Sequence, residues 1–384
     1  MPTTAVPTLR PLRIGSMCSG HGGLDLAVQA VLGGEAVWHA ETDPAAAAVL
    51  AAHWPGVPNV GDLTRCDWDA VEPVDLVAAG FPCQPVSLAG HRLGDADERW
   101  IWPDIARALG ILRAGLVYLE NVAAITRSGL GAVAADLAAL GYDTEWTVLA
   151  ASALGAPHRR ERWFLLAWDR QRAADLAGDV SGWRAAADAA RQSERAARLQ
   201  ENPVAGGRYT WVEPGRRDGE PAPYPPSLGH RDTRTQTRPG LATPALGGPP
   251  AHPPGERREE GQREPVPGLA KGLHAAERGR PDWGRYRPVV ERWERLTGRC
   301  APAPTAMSPN GLPQLAPAFV EWLMDAPAGH VTGQGLGRVA QLRLLGNGVV
   351  VRQAATALAA LLCRAGLLDS EGDVLAEEFL HRRH

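Results

Sequence analysis

Lysine is nearly missing from this chain. Lys271 is the sole example, and arginine supplies the rest of the 40 basic side chains set against 43 acidic ones. With alanine, glycine and proline abundant, this pattern fits GC-rich coding bias better than a selected basic surface. The net charge of -3 gives the molecule no overall field to draw in a polyanion. Residues 171–300 nevertheless carry an excess of roughly five positive charges and leave the remainder acidic. That asymmetry permits a nucleic-acid partner without demonstrating one. Cysteine is scarce too: Cys18, Cys66, Cys83, Cys300 and Cys363 are odd in number, widely spaced and form no CxxC pair, which argues against a disulfide framework and a structural zinc site. No apolar run reaches the roughly 20 residues of a membrane span, and the N-terminal MPTTAVPTLRPLRIG lacks the apolar core of a signal peptide. The expectation is a cytoplasmic protein with reduced thiols, no metal and no membrane partner.

The 384 residues suit one large domain, or a large and a small one, with a sizeable core. From Leu12 to Trp168, LRIGSMCS, AVWHAET, VDLVAAGF, GLVYLENV, TEWTVLAA and RWFLLAW read as strands. LDLAVQAVLG, PAAAAVLAAHW, ERWIWPDIARALGIL and GLGAVAADLAAL, lying between them, have helical periodicity. Such alternation predicts an α/β fold with a mostly parallel, doubly wound sheet and helices on both faces. Periodicity then fails, and 169–282 is expected to be a low-complexity, partly flexible linker, because too few apolar residues are present to offset the entropy of ordering. Order returns at WGRYRPVVERWERL (283–296), within a small region over 283–335. The segment 336–384 follows, with an Ala/Leu helix apolar enough to pack back on the first domain.

Five stretches carry chemistry. SGHGGLDLA follows a strand and opens a helix, and Gly20, Gly22 and Gly23 allow close backbone approach at the carboxyl end of the first strand. Asp25 stands where a dinucleotide fingerprint needs its third glycine, which disfavours NAD or FAD and, with them, an α/β oxidoreductase. Glu41 and Asp43 end the second strand, where a carboxylate accepts ribose hydroxyls, although Asp43 before Pro44 equally suits a helix cap. In GFPCQPVS, Pro82 and Pro85 stiffen the backbone around Cys83 and present its thiol on a loop, the arrangement of a nucleophile. Glu120, at the end of the apolar run GLVYLENV, is placed for desolvation to raise its pKa and make it a proton donor. In APHRRERWF, strict alternation would put His158, Arg160 and Arg162 on one face.

In chain order, these elements resemble the motifs of the DNA (cytosine-5)-methyltransferase family: SGHGGLDLA its cofactor-binding glycine motif, GFPCQPVS its nucleophile loop, LENV its Glu-Asn-Val motif and RRERWF its arginine motif. LLGNGVV resembles its late GN-x-V motif. The likeness covers roughly 12–168 and 310–365. It implies a class I methyltransferase-like, Rossmann-related catalytic domain over 1–168, with S-adenosyl-L-methionine as donor and S-adenosyl-L-homocysteine as product. It further implies a target cytosine flipped out of duplex DNA, attacked at carbon 6 by Cys83 while Glu120 serves ring N3. Arg162 would contact the base O2, with Arg160 supporting the pocket and Pro82, Gln84, Ser87 and Asn121 shaping it. The cofactor would lie against Ser19, Gly20, Gly22, Gly23, Glu41, Asp62, Asn347 and Val349.

The chain departs from the family at Cys18, where phenylalanine is usual, and at His158, where glutamine is usual. Sequence recognition would reside in 169 to about 310, with arginines between 231 and 299 reaching phosphates or guanine edges. A tRNA cytosine methyltransferase and a catalytically silent DNA-binding relative are the alternatives. The chain is expected to act as a monomer, with a restriction nuclease as a functional rather than physical partner.

Overall fold

All six strand-like segments enter one sheet in the computed structural model, which describes residues 10–82, 100–201 and 281–369. The strands are β1 (Arg13–Met17), β2 (Glu35–Ala40), β3 (Leu76–Gly80), β4 (Leu116–Val122), β5 (Tyr142–Ala150) and β6 (Glu161–Asp169), in the spatial order β2-β1-β3-β4-β6-β5. β1 to β4 pair in parallel, whereas β6 runs antiparallel to both β4 and β5. Residues 151–160 between β5 and β6 hold only one 3-10 turn, too little chain for the crossover that a parallel return requires. The expected doubly wound, mostly parallel sheet is therefore present with one reversed strand.

Ten helices accompany the strands among the described residues: α1 (Gly23–Leu32), α2 (Pro44–His53), α3 (Trp102–Leu112), α4 (Ile125–Ser128), α5 (Leu130–Ala139), α6 (Ala173–Glu201), α7 (Arg287–Thr297), α8 (Pro317–Leu323), α9 (Arg338–Asn347) and α10 (Val351–Arg364). A small hairpin, β7 (Thr305–Met307) with β8 (Pro313–Leu315), precedes α8. The chain divides into two units, Met1–Arg198 with Leu269–His384, and Leu199–Gly268. Every element named here belongs to the first unit, apart from the last residues of α6.

Side-chain alternation builds the two faces of the sheet. Leu76, Ala78, Leu116, Tyr118, Phe164 and Leu166 pack on one side with α1, α6 and α10, while Val77, Ala79, Val117, Leu119, Trp163 and Leu165 pack on the other with α3 and α5. Strands buried on both faces explain why their sequences read as continuous apolar runs. Helix α10 is buried from Gln353 to Leu362. Tyr118 Oη donates to Ala354 O at 2.7 Å, and Gln353 Nε2 donates to Leu149 O at 2.7 Å. Arg338–Arg364 has the length and composition of a membrane span, yet it is two helices broken at Gly348; the apolar side chains of α10 line this core, while Leu344 and Leu345 of α9 pack with Ala46 and Val49 of α2.

The expected linker starts too early. Helix α6 occupies Ala173–Glu201, and Leu176, Val180, Trp183 and Ala187 are buried. Their spacing of four, three and four forms a narrow helical stripe that the surrounding Arg, Asp and Ala dilute in any compositional average. Trp183 Nε1 also donates to Arg10 O at 3.0 Å, tying the helix to the segment that leads into β1. Residues 202–280, the rest of that expected linker, lie outside the described residues. Beyond it, order extends well past the helix near 283–296. Val290 and Trp293 of α7 join Trp322, Met324, Ala151, Ala156 and Val350 in a third apolar cluster. Trp293 Nε1 donates to Trp322 O at 3.1 Å.

Strand register places the site. Gly80 pairs with Glu120 in parallel β3 and β4, and Val122 pairs with Arg162 where β4 meets the antiparallel β6. Reversal of β6 brings its first residues to the same edge as the carboxyl ends of β1, β3 and β4. Glu120 and Arg162 thus become diagonal neighbours across one ladder.

Candidate active site

The β1–α1 turn is built on left-handed backbone. Cys18 (φ +49°), Gly20 (φ +56°) and Gly22 (φ +80°) carry the chain from the strand into α1. At Gly22 a Cβ would fall 2.4 Å from the Trp54 ring, so both conformation and space demand glycine. Cys18 N–H donates to Ala40 O at 2.9 Å, joining the ends of β1 and β2. Burial, with Glu41 nearby, pushes the Cys18 thiol up to about 12, which keeps it protonated and inert as a nucleophile. Ser19 turns inward, its Oγ donating to Ser16 O at 3.0 Å.

Glu41 closes this turn onto β2. Its Oε2 accepts from Gly20 N–H at 2.8 Å and its Oε1 from Asp43 N–H at 2.7 Å, leaving unused lone pairs on both oxygens. Asp43 caps α2 by accepting from Ala45 N–H at 2.8 Å and Ala46 N–H at 3.2 Å, and pairs with Arg343 at 2.6 Å. Of its two sequence readings, the cap is the one observed. Asp62 lies beyond α2, where the Thr64 hydroxyl (2.8 Å) and N–H (3.0 Å) hold its carboxylate below the usual range.

These groups line one side of a cleft of about 600 Å³, whose other walls include Gly80, Phe81, Glu120, Asn121, Arg162, Leu344 and Asn347. Glu120 Oε1 accepts from Arg162 Nε at 2.9 Å, and both side chains are mostly buried. Burial pushes the Glu120 carboxyl up to about 7, against the opposing pull of Arg162 and Arg160. At neutral pH the group is therefore poised between donating and accepting a proton. Asn121 is buried, its Nδ2 donating to Phe81 O at 3.1 Å while its Oδ1 accepts from Val122 N–H at 2.8 Å. It anchors the backbone just ahead of exposed Pro82. Cys83, Gln84 and Ser87 lie outside the described residues.

The three residues expected on one face are not arranged that way. β6 begins at Glu161, and Arg160 has φ +31°, so strict alternation holds for Arg162 alone. His158 instead reaches Leu323, its Nε2 donating to the carbonyl at 3.0 Å. Arg160 turns to the late glycine motif, donating to Gly346 O at 3.0 Å and to Gly348 O. Burial beside Arg162 lowers its pKa to about 10, leaving it charged at neutral pH. Through these bonds Arg160 brings the α9–α10 loop to the cleft. Asn347 lines the cleft there, and Val349 is buried beneath the start of α1, 3.1 Å from where a Gly23 Cβ would stand. The link from Arg160 to residues 346–348 left no trace in the sequence, because nothing local records a contact across such a separation. Arg299, expected to be available for DNA, is instead engaged by Asp325 at 3.1 Å and Ala326 O at 2.5 Å.

The arrangement suits a nucleoside-bearing cation. Gly20 and Gly61 present backbone to open space, Glu41 retains acceptor capacity toward a ribose, and the β2 side is rich in carboxylate. Such a site at the carboxyl edge of parallel strands defines an α/β cofactor-binding domain with a buried, arginine-paired carboxyl beside it. The sequence model of the C-5 cytosine-specific DNA methylase family matches residues 12–205, and the chain belongs to that family. It is 35% identical over 143 residues to the type II methyltransferase M.NgoBV of Neisseria gonorrhoeae, covering 34% of each chain. It is 32% identical over 159 residues to the type II methyltransferase M.MspI of Moraxella sp, covering 40% of this chain and 38% of that one. The matched stretch thus spans between 34% and 38% of the length of these two relatives. Among solved structures, a Spodoptera frugiperda DNMT2 mutant is similar over 91% of this chain and 99% of that one, with a TM-score of 0.47 and 16% identity.

Proposed function

We propose that this chain methylates carbon 5 of cytosine in duplex DNA, with S-adenosylmethionine as the methyl donor. The observation that carries the reading is the Glu120–Arg162 pair: a carboxyl raised to about 7 and oriented by a fixed guanidinium at 2.9 Å. It stands on the same cleft as Glu41 and Asp62. Family membership and the two type II methyltransferase relatives support the choice of DNA and of this reaction.

In this reading the Cys83 thiolate adds to carbon 6 while Glu120 gives its proton to, or shares it with, ring N3, so that electron density moves to carbon 5. The donor, when bound, supplies an electrophilic methyl group for that carbon. Loss of the carbon 5 proton to a water molecule and departure of Cys83 as thiolate then restore the ring, and Glu120 recovers its proton from N3. Arg162 keeps Glu120 in place and offers N–H donors toward the base O2 without ever losing charge. Asn121 fixes the carbonyl of Phe81, two residues before Cys83 in sequence. Glu41 would hold the ribose, Asp62 the adenine amino group, and Asn347 and Val349 the methionine end. Because cofactor and catalytic groups occur on one chain, a monomer is sufficient for turnover.

Incubating the protein with labelled donor and mixed-sequence duplex DNA or bulk tRNA, beside Cys83→Ser, tests this. Label recovered in DNA as 5-methylcytosine with wild type alone is the expected result. Label entering tRNA would reassign the substrate, and donor binding without any transfer would overturn the activity.

A further inference from the structure

The Ser19–Gly23 turn is also gripped from the far end of the chain. His330, 3% exposed, places its Nε2 2.7 Å from His21 O. A carbonyl only accepts, so this imidazole carries its proton on Nε2. Its ring stacks on His53, the last residue of α2, with centroids 4.0 Å apart and planes within 17°. His53 Nε2 in turn donates to His330 O at 2.7 Å. The two histidines therefore join α2, the loop after α8 and the β1–α1 turn in one chain of bonds.

The loop itself is rigidly set. Glu321, 3% exposed, accepts four hydrogen bonds: Oε1 from Val331 N–H (2.7 Å) and Thr332 N–H (3.0 Å), Oε2 from Gly329 N–H (2.8 Å) and Thr332 Oγ1 (2.8 Å). Below the turn, the His21 ring packs against Gly348, where an added Cβ would lie 2.1 Å from His21 Nε2. The His21 carbonyl stands between Gly20, whose N–H is bound to Glu41, and left-handed Gly22. The peptide it belongs to is tied at its other end, where Gly22 N–H donates to Ser19 O at 2.8 Å, so His330 fixes the remaining, carbonyl end of that unit.

We propose that His330 is a positioning residue for the methyl donor: by holding the His21 carbonyl it fixes the glycine turn in its binding shape, and it acts on donor affinity rather than on methyl transfer. The proposal rests on reading that turn as the donor's site. Calorimetric binding of S-adenosylhomocysteine to wild type, His330→Phe, His330→Gln and Leu176→Ala tests both ideas separately. Phenylalanine keeps the stack on His53 and removes the donor N–H. It is expected to weaken binding about tenfold, corresponding to ~1.4 kcal/mol, to raise the KM for the donor in parallel and to leave kcat unchanged. Glutamine, which still donates, should restore most of the affinity. Leu176→Ala, remote on α6, should lower the Tm without altering the Kd. Equal affinity of wild type and His330→Phe, or a glutamine variant as weak as the phenylalanine one, would overturn the proposal. Should His330→Phe fail to fold, the glutamine variant and the amide exchange of Gly20 and Gly22 decide the question: unchanged exchange on weakened binding rejects it. Wild type that binds no S-adenosylhomocysteine would refute the cofactor reading itself.

Discussion

Along the β2 wall of the cleft, carboxylates are held on backbone N–H groups; along the β4–β6 wall, side-chain charges are buried against one another. Glu41 takes two backbone donors and Asp62 takes an N–H and a hydroxyl, so each carboxylate is fixed in place. Glu120 has Arg162 as its near partner and burial as its main influence. The first wall resembles a rigid mould for a ligand that does not change during reaction. The second is a pair whose proton balance shifts readily, as acid–base work requires.

The sharpest way to separate the walls is Glu120→Gln. The amide keeps the shape but has no ionisable proton, and turnover is expected to fall by about 10²–10⁴-fold. Binding of S-adenosylhomocysteine should change little. Single-turnover methylation beside calorimetry checks both, and a comparable loss in binding would mean that the two walls are not independent. The reciprocal change, Glu41→Gln, is expected to weaken donor binding by about tenfold, the cost of one good hydrogen bond to a charged group, while kcat at saturating donor stays near wild type. A fall in kcat without a change in KM would place Glu41 in the chemistry and erase the distinction.

Much of the first wall and of the sheet could be read in the sequence, because both depend on local order. The strand period, the glycines after β1 and the carboxylates ending β2 are short-range features. Glu120 and Arg162 were legible as residues but not as a pair: their contact needs β6 to reverse direction, which follows from the short connection after β5. Strict alternation misplaced His158 and Arg160, since Arg160 leaves the extended region at φ +31° to reach the α9–α10 loop. Helix α6 was hidden for another reason. Its apolar stripe is narrow and its other faces are polar, so averaging over the segment erased Leu176, Val180 and Trp183. His330 offered no local signal at all, because its partner is a backbone carbonyl at the opposite end of the chain.

The last test of the comparison concerns pH and stability. Glu120 has an ordinary value of 4.5 and a folded value of about 7. Between those limits the folded state binds more protons at this site than the unfolded chain does. Its contribution to stability is therefore fully present below pH 4.5 and is lost as pH rises to 7, opposite to the behaviour of a salt-bridged carboxylate. Buried Asp25, raised to about 6, acts in the same sense, whereas His21 and His39, lowered to about 4, make the fold weaker as pH falls. The whole-protein profile mixes these contributions, so the informative quantity is the difference between wild type and Glu120→Gln. Denaturant unfolding at several pH values should show wild type losing about 2–3 kcal/mol relative to the variant between pH 4.5 and 7, with the divergence nearly complete by then. Parallel profiles would mean that Arg162 keeps the carboxylate ionised throughout, and the β4–β6 wall would then be as fixed in charge as the wall facing it.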